Sequence, residues 1–165
     1  VEEGKFPLLL QSDKRWAKEK YGDGNMKENG CAPTSLSMIV AGLTGDDTAT
    51  PLAIAKYAES NGYYMEGVGT VWDLFTEGIR KFGIEGNEIS LSKETVFDAL
   101  NSGMPIVCSM RPGDFTTKGH IIVLTRTEDG KIRLNDPNSI ERSEKLWDYE
   151  TLEYQIKNLW AFHAI

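Results

Sequence analysis

Two kinds of hydrophobic patterning divide the chain. From Gly30 to Gly45 the run GCAPTSLSMIVAGLTG places Leu36, Met38, Ile39, Val40, Ala41 and Leu43 on nearly every side of a helix, the pattern of a segment packed all round by protein. Gly30 precedes it, Pro33 fits a first turn that needs no backbone donor, and Gly42 or Gly45 offers a stop. Thr50 and Pro51 start a second helix through LAIAKYAESNG, ended by Asn61 and Gly62. Trp72 to Phe82 predicts a third, closed by Gly83. Ser92 caps a fourth that runs to Leu100, with Thr95, Val96, Ala99 and Leu100 as its inner stripe. The pattern then changes to short apolar or alternating runs, PIVCSM, HIIVLT, KIRLND and WAFHAI, separated by turn residues, notably Asp129 and Gly130. Helices first and strands afterwards predict an α+β domain, its helices packed against an antiparallel sheet. Pro7 to Gln11 reads as a short extended entry. The approach to Cys31, with Gly22, Gly24, Asn25, Asn29 and Gly30, is a loop, as is Tyr63 to Thr70.

A length of 165 residues suits one domain. With no repeat or linker along it, residues 1–165 are expected to form a single unit, and 1–7 a flexible N-terminal segment. Lys and Arg number 18 against 25 Asp and Glu, a net charge of −7, which argues against nucleic acid as a partner because phosphate binding needs a basic face. No apolar run approaches the length of a bilayer span. The chain opens VEEGK without methionine, as an excised domain or a processed chain would. Its two cysteines and two histidines, at 31, 108, 120 and 163, lack the paired short spacings of a zinc site, so no metal is expected. Cys108, inside PIVCSM, reads as a core thiol.

Cys31 falls at the helix N-terminus, where free N–H groups and the positive end of the helix dipole favour an anion; a thiol there tends toward thiolate, a nucleophile. A small buried residue in a tight turn is the competing reading. His120 opens one strand and Asp136 closes the next, so they share a hairpin. A five-residue loop, Arg126 to Gly130, pairs His120 with Asp136 on one face, where a carboxylate can fix the imidazole tautomer. A two-residue Asp129-Gly130 turn sets Asp136 opposite Val123, on the wrong face unless a bulge intervenes. A partly buried histidine and a turn-capping Asp, common in NDP, remain the plainer alternative.

Gln11 in LLLQSDKRW, then NGCAPTSLSMIVAGLTG, GMPIVCSMRPGDFTTKGHIIVLT and LNDPN together resemble the C39-like peptidases, papain-like cysteine peptidases of bacteria, over roughly 8–162. The resemblance implies a papain-like fold, a helical part whose central helix carries the cysteine, facing a sheet that carries the histidine and aspartate. It implies Cys31 as nucleophile, His120 as general base and then acid, Asp136 as orienting carboxylate and Gln11 as oxyanion donor, with Asn25 or Asn29 as alternative donors. It also implies a peptide or protein substrate, no cofactor, a monomer, and an extracellular or cell-surface location in a bacterium. Relatives joined to transporters cut leader peptides after a double glycine. Tyr63, Tyr64, Gly67 and Gly69 are candidate substrate-binding residues, the glycines narrowing the cleft around the thiol so that small residues are preferred. A cell-wall peptide amidase or endopeptidase, a silent binding domain, and transglutaminase-like acyl transfer are the competing functions. Ala32, where papain itself has tryptophan, departs from the papain signature.

Overall fold

The computed structural model describes residues 4–165. Strands β1 (Lys20–Tyr21) and β2 (Gly24–Asn25) form a hairpin that leads into the one-turn α1 (Met26–Asn29), joined through Gly30 to α2 (Cys31–Thr44). After α3 (Pro51–Ser60) come a second hairpin, β3 (Tyr64–Met65) with β4 (Gly69–Thr70), then α4 (Asp73–Thr76) and a 3-10 turn over Gly78–Phe82. There follow β5 (Ile84–Glu88), α5 (Lys93–Asn101), β6 (Ile106–Met110), β7 (His120–Glu128), β8 (Lys131–Asn135), α6 (Ile140–Glu144), α7 (Tyr149–Glu153) and β9 (Ile156–Ala164).

The local signals act as anticipated at several ends. Thr50 caps α3 by accepting from the Ala53 N–H, and Ser92 caps α5 by accepting from the Thr95 N–H. Of the two candidate stops for α2 it is Gly45 that ends the helix, at φ +78, a left-handed position that favours glycine. Gly42 lies inside, where the Phe6 ring takes the space a side chain would need. The expected helix from Trp72 to Phe82 divides at Glu77 into α4 and the 3-10 turn, and the turn begins on Gly78, where a Cβ would lie 2.8 Å from the Tyr63 ring. β5, α6 and α7 escape the hydrophobic pattern, and α1 occupies part of the loop before Cys31. Of the segment 1–7, residues 1–3 lie outside the described residues; the Gly4 N–H donates to the Gly42 carbonyl at 2.6 Å, and Asn135 Nδ2 donates to the Pro7 carbonyl at 3.1 Å.

Five strands form one antiparallel sheet in the order β5-β9-β6-β7-β8. Both faces are covered, which is why HIIVLT reads as continuously apolar. Val107, Ile121 and Val123 meet α2, α3 and α4 through Leu36, Ile39, Ile54 and Phe75. The alternate residues Ile106, Cys108, Ile122 and Leu124 meet α5 and α7 through Val96, Leu100 and Leu152. Both cysteines are free, and Cys108 lies in the core away from α2.

The β7–β8 hairpin decides where Asp136 goes. It turns on Asp129 and Gly130, both at positive φ, and pairs Glu128 with Lys131 and Arg126 with Arg133, so the five-residue loop is not formed. Between Leu124 and Arg126 the register shifts, leaving Thr125 as the extra residue, and Leu124 then faces Leu134 and Val123 faces Asn135. Carried one step on, this register sets Asp136 across from Ile122 and diagonally beside His120. The bulge has turned the wrong face into the right one.

Candidate active site

Asp136 leaves β8 into a turn and is fully buried. Its Oδ1 lies 2.6 Å from His120 Nε2 and accepts the Asn138 backbone N–H at 2.8 Å; its Oδ2 accepts Arg142 Nε at 2.7 Å. The turn-capping aspartate and the histidine partner are therefore the same carboxylate, and both readings of NDP hold. Ser139 caps α6 by accepting from the Arg142 N–H, which fixes the turn of helix carrying Arg142. That arginine was not foreseen: six positions beyond Asp136, it follows no strand pattern and its helix has no buried stripe.

With Nε2 engaged by Asp136, Nδ1 is the ring nitrogen left for Cys31. Burial lowers the His120 pKa, but hydrogen bonds to Asp136 and Cys31 and the charges of both outweigh it, and the pKa is raised to about 9. Burial likewise raises Asp136, and here His120, Arg142 and the Asn138 N–H prevail and hold it below the usual carboxylate range. Cys31 is the first residue of α2 and partly exposed. A Cβ on Gly30 would lie 2.5 Å from the Met26 carbonyl oxygen, so a glycine here lets α1 abut α2 and sets the cysteine at the helix mouth.

Gln11 is tied to the turn after Asp136 by its backbone N–H, which donates to the Pro137 carbonyl at 2.8 Å. Its Nε2 donates one hydrogen to the Lys27 carbonyl at 2.8 Å, leaving the second N–H available in a recess that it lines with Cys31 and His120. Asn29 spends its Nδ2 on the Tyr21 carbonyl and Asp23, and Asn25 turns its side-chain oxygen to the start of α1. Neither asparagine matches Gln11 as a free donor beside Cys31.

A groove of about 460 Å³ opens from Cys31 and His120 along Asn29, Tyr64, Gly69 and Trp72. Tyr64 and Gly69 thus line it. Tyr63 and Gly67 do not: Tyr63 stacks on Tyr57 at 6.1 Å between ring centres, and Gly67 stands at the hairpin tip. Both glycines have positive φ and nothing within 4 Å of a would-be Cβ, so the turn, and not close packing, calls for glycine at each.

The two thiols differ sharply in setting. Burial pushes the Cys108 thiol well up, whereas Cys31 is reached from the groove. Brief treatment with a small electrophile at neutral pH is expected to label Cys31 at least about a hundredfold faster than Cys108, read by peptide mass spectrometry. Equal labelling would remove the case for a reactive Cys31.

The model of the Peptidase_C39 like family matches residues 4–162. The chain belongs to that family. Among solved structures, the C39 fold of this chain is similar to the peptidase domain of Streptococcus ComA, a bi-functional ABC transporter involved in quorum sensing, with TM-score 0.60 and 19% identity over 96% of each chain. It is similar to a C39-like peptidase from Bacillus anthracis, at 0.56 and 16% over 96% of this chain and 94% of the other. A double glycine motif protease from an AMS/PCAT transporter, solved with its leader peptide, gives 0.56 and 14% over 99% and 95%. Comparison with curated proteins gives no match. At these identities the neighbours establish the papain-like fold, and membership of the peptidase family rests on the family model. Among the described residues of this C39-like chain no helix is long and apolar enough to cross a membrane, and no group of His, Cys, Asp and Glu could hold a metal ion.

Proposed function

We propose that the chain is a cysteine peptidase acting through Cys31, His120 and Asp136. The observation that carries this reading is His120, held by Asp136 on one nitrogen with Cys31 as its other partner, at the floor of an open groove. His120 takes the thiol proton, and the thiolate attacks the carbonyl carbon of a peptide bond. The imidazolium then protonates the leaving amine, and water, activated by the imidazole, resolves the acyl-enzyme. Asp136 stays ionised throughout, because Arg142 and the Asn138 N–H share its charge, and it keeps Nδ1 turned toward the sulfur. The free N–H of Gln11 and the backbone N–H of Cys31 serve as donors to the oxyanion.

Incubation with an unstructured peptide library, read by mass spectrometry, is expected to give Cys31-dependent cleavage. Release of muropeptides from purified peptidoglycan with the library intact would replace this reading by the cell-wall amidase. Gln11→Ala is expected to lower kcat by about a hundredfold with KM little changed, the effect of losing one oxyanion donor. A rise in KM with kcat preserved would mean that Gln11 only binds.

A further inference from the structure

The groove is unlike on its two sides of Cys31. Met65, Val68 and Trp72 are 55%, 74% and 39% exposed, three of the seven exposed large hydrophobic residues among the described residues and all within eight positions. Apolar residues scattered singly over a surface need no explanation, but a cluster on the rim of a groove does. Val68 and Trp72 line the groove that holds Cys31 and His120, with Ala32 and Phe75 behind them. On the other side of the cysteine the recess is mostly polar, lined by Gln11, Lys27, Thr116, Thr117 and Asn138 with Phe115 as its one aromatic residue. Glu28 and Lys118, of opposite charge, border both halves, and Lys27 adds a cation to the polar one alone.

The apolar rim is held in place from below. Tyr64 OH donates to Asp23 Oδ1 at 2.8 Å, and Tyr21 OH shares a 2.7 Å hydrogen bond with Thr70 Oγ1. The Tyr21 and Tyr64 rings meet edge to face at 4.9 Å, and Trp72 meets Trp160 in the same manner at 5.2 Å. Val68 and Trp72 are therefore presented on a braced base. Water lying against them is displaced at a gain when an apolar side chain enters.

We propose that the β3–β4 hairpin and Trp72 form a specificity subsite for one bulky aliphatic or aromatic side chain of the peptide substrate, lying on one side of the bond cut at Cys31. The inference rests on the peptidase reading and adds the substrate class to it. The occupant is a substrate segment because the apolar wall is continuous with the groove that holds the thiol. It is bulky because the gain grows with the apolar area covered, and a methyl group would cover little of a wall that presents Val68 and Trp72, 74% and 39% exposed.

The test maps cleaved bonds in a peptide library and then compares a matched pair of peptides, Leu against Ala at the mapped position. A parallel arm captures intact library peptides on the Cys31→Ala protein. The expected result is enrichment of Leu, Ile, Met, Phe and Trp at one fixed position within about three residues of the bond, and a ratio of kcat/KM between the pair of about tenfold. Val68→Asp and Trp72→Ala each bring that ratio toward one; Val68 is so exposed that its substitution leaves folding intact, which a melting curve checks. Cys31-dependent cleavage with no apolar enrichment, or with enrichment that survives both substitutions, overturns the subsite and leaves the peptidase. Capture of apolar peptides, sensitive to Val68→Asp but with no cleavage by the wild type, keeps the subsite and removes the peptidase. Neither cleavage nor selective capture removes both. A dimer in sedimentation that Val68→Asp dissolves, without enrichment, identifies the rim as a contact between copies and overturns the proposal.

Discussion

Cys31→Ala is expected to abolish hydrolysis, lowering kcat by about a millionfold, as loss of the nucleophile does when the remaining groups work only as a unit with it. No other thiol can replace it, because Cys108 is fully buried in the second core cluster. Ser35, one turn along α2, is also fully buried, and Ser37 is spent on the Ala49 carbonyl at 2.6 Å. The substitution removes one partly exposed sulfur from the start of a helix and should leave the melting temperature within a few degrees. The measurement is single-turnover cleavage of a mapped peptide, with a search for a substrate-derived acyl adduct on Cys31 in the wild type. Residual activity within tenfold of the wild type would move the chemistry elsewhere.

Asp136→Ala carries the second largest expected effect, about a thousandfold or more in kcat, since the imidazole loses both its orientation and a partner for its charge. It also strands Arg142 and the Asn138 N–H, and the loss of a buried acceptor costs about 2 kcal/mol. The pH dependence has a definite sign. The folded pKa of Asp136 is depressed, so its contribution to stability is present above the unfolded value, roughly 3.9, and is lost as pH falls through the lower folded value. The folded pKa of His120 is raised to about 9. Its contribution is complete below the unfolded value, roughly 6.5, and disappears as pH rises through the folded one. The melting temperatures of wild type and variant should therefore differ most between about pH 4 and 6.5, less in acid as Asp136 takes a proton, and less toward pH 9 as His120 loses one, with the Asp136–Arg142 part of the difference remaining there. In the wild type kcat/KM should fall near pH 9 as the imidazolium of the ion pair is lost. A difference in melting temperature that does not vary with pH would contradict the coupling of these two groups.

Much of this was legible in the chain because it depends on short-range rules. Caps such as Thr50 and Ser92 act within three residues, and the all-round apolar surface of α2 needs only its own sequence. The four strands recognised by pattern have enough branched apolar residues to declare themselves. β5 did not, because Gly86 sits where the Phe75 carbonyl and the Phe162 ring leave no room for a side chain, and the alternation is interrupted. At the candidate site Cys31, His120, Asp136 and Gln11 converge as the resemblance implied. Arg142 was invisible because its contact is made by a five-residue helix with no buried face. Tyr63 and Tyr64 could not be told apart by composition; neighbours at the start of an extended segment point opposite ways, and only the packing on Tyr57 chooses between them.

The extra residue at Thr125 gives the hairpin slack in length as well as in chemistry. Many side chains would serve at that position, since its Oγ1 makes only a 3.1 Å bond to the Arg133 carbonyl. Deleting Thr125 leaves Leu124 opposite Leu134 and Arg126 opposite Arg133 in an unbroken ladder, with Asp136 where it was, whereas losing a second residue from the same strand, with no bulge left to absorb it, changes the parity and swings Asp136 to the far side of the sheet. For this stretch of gene one codon can be lost where two cannot, and shorter hairpins without the bulge should occur beside longer ones that keep it.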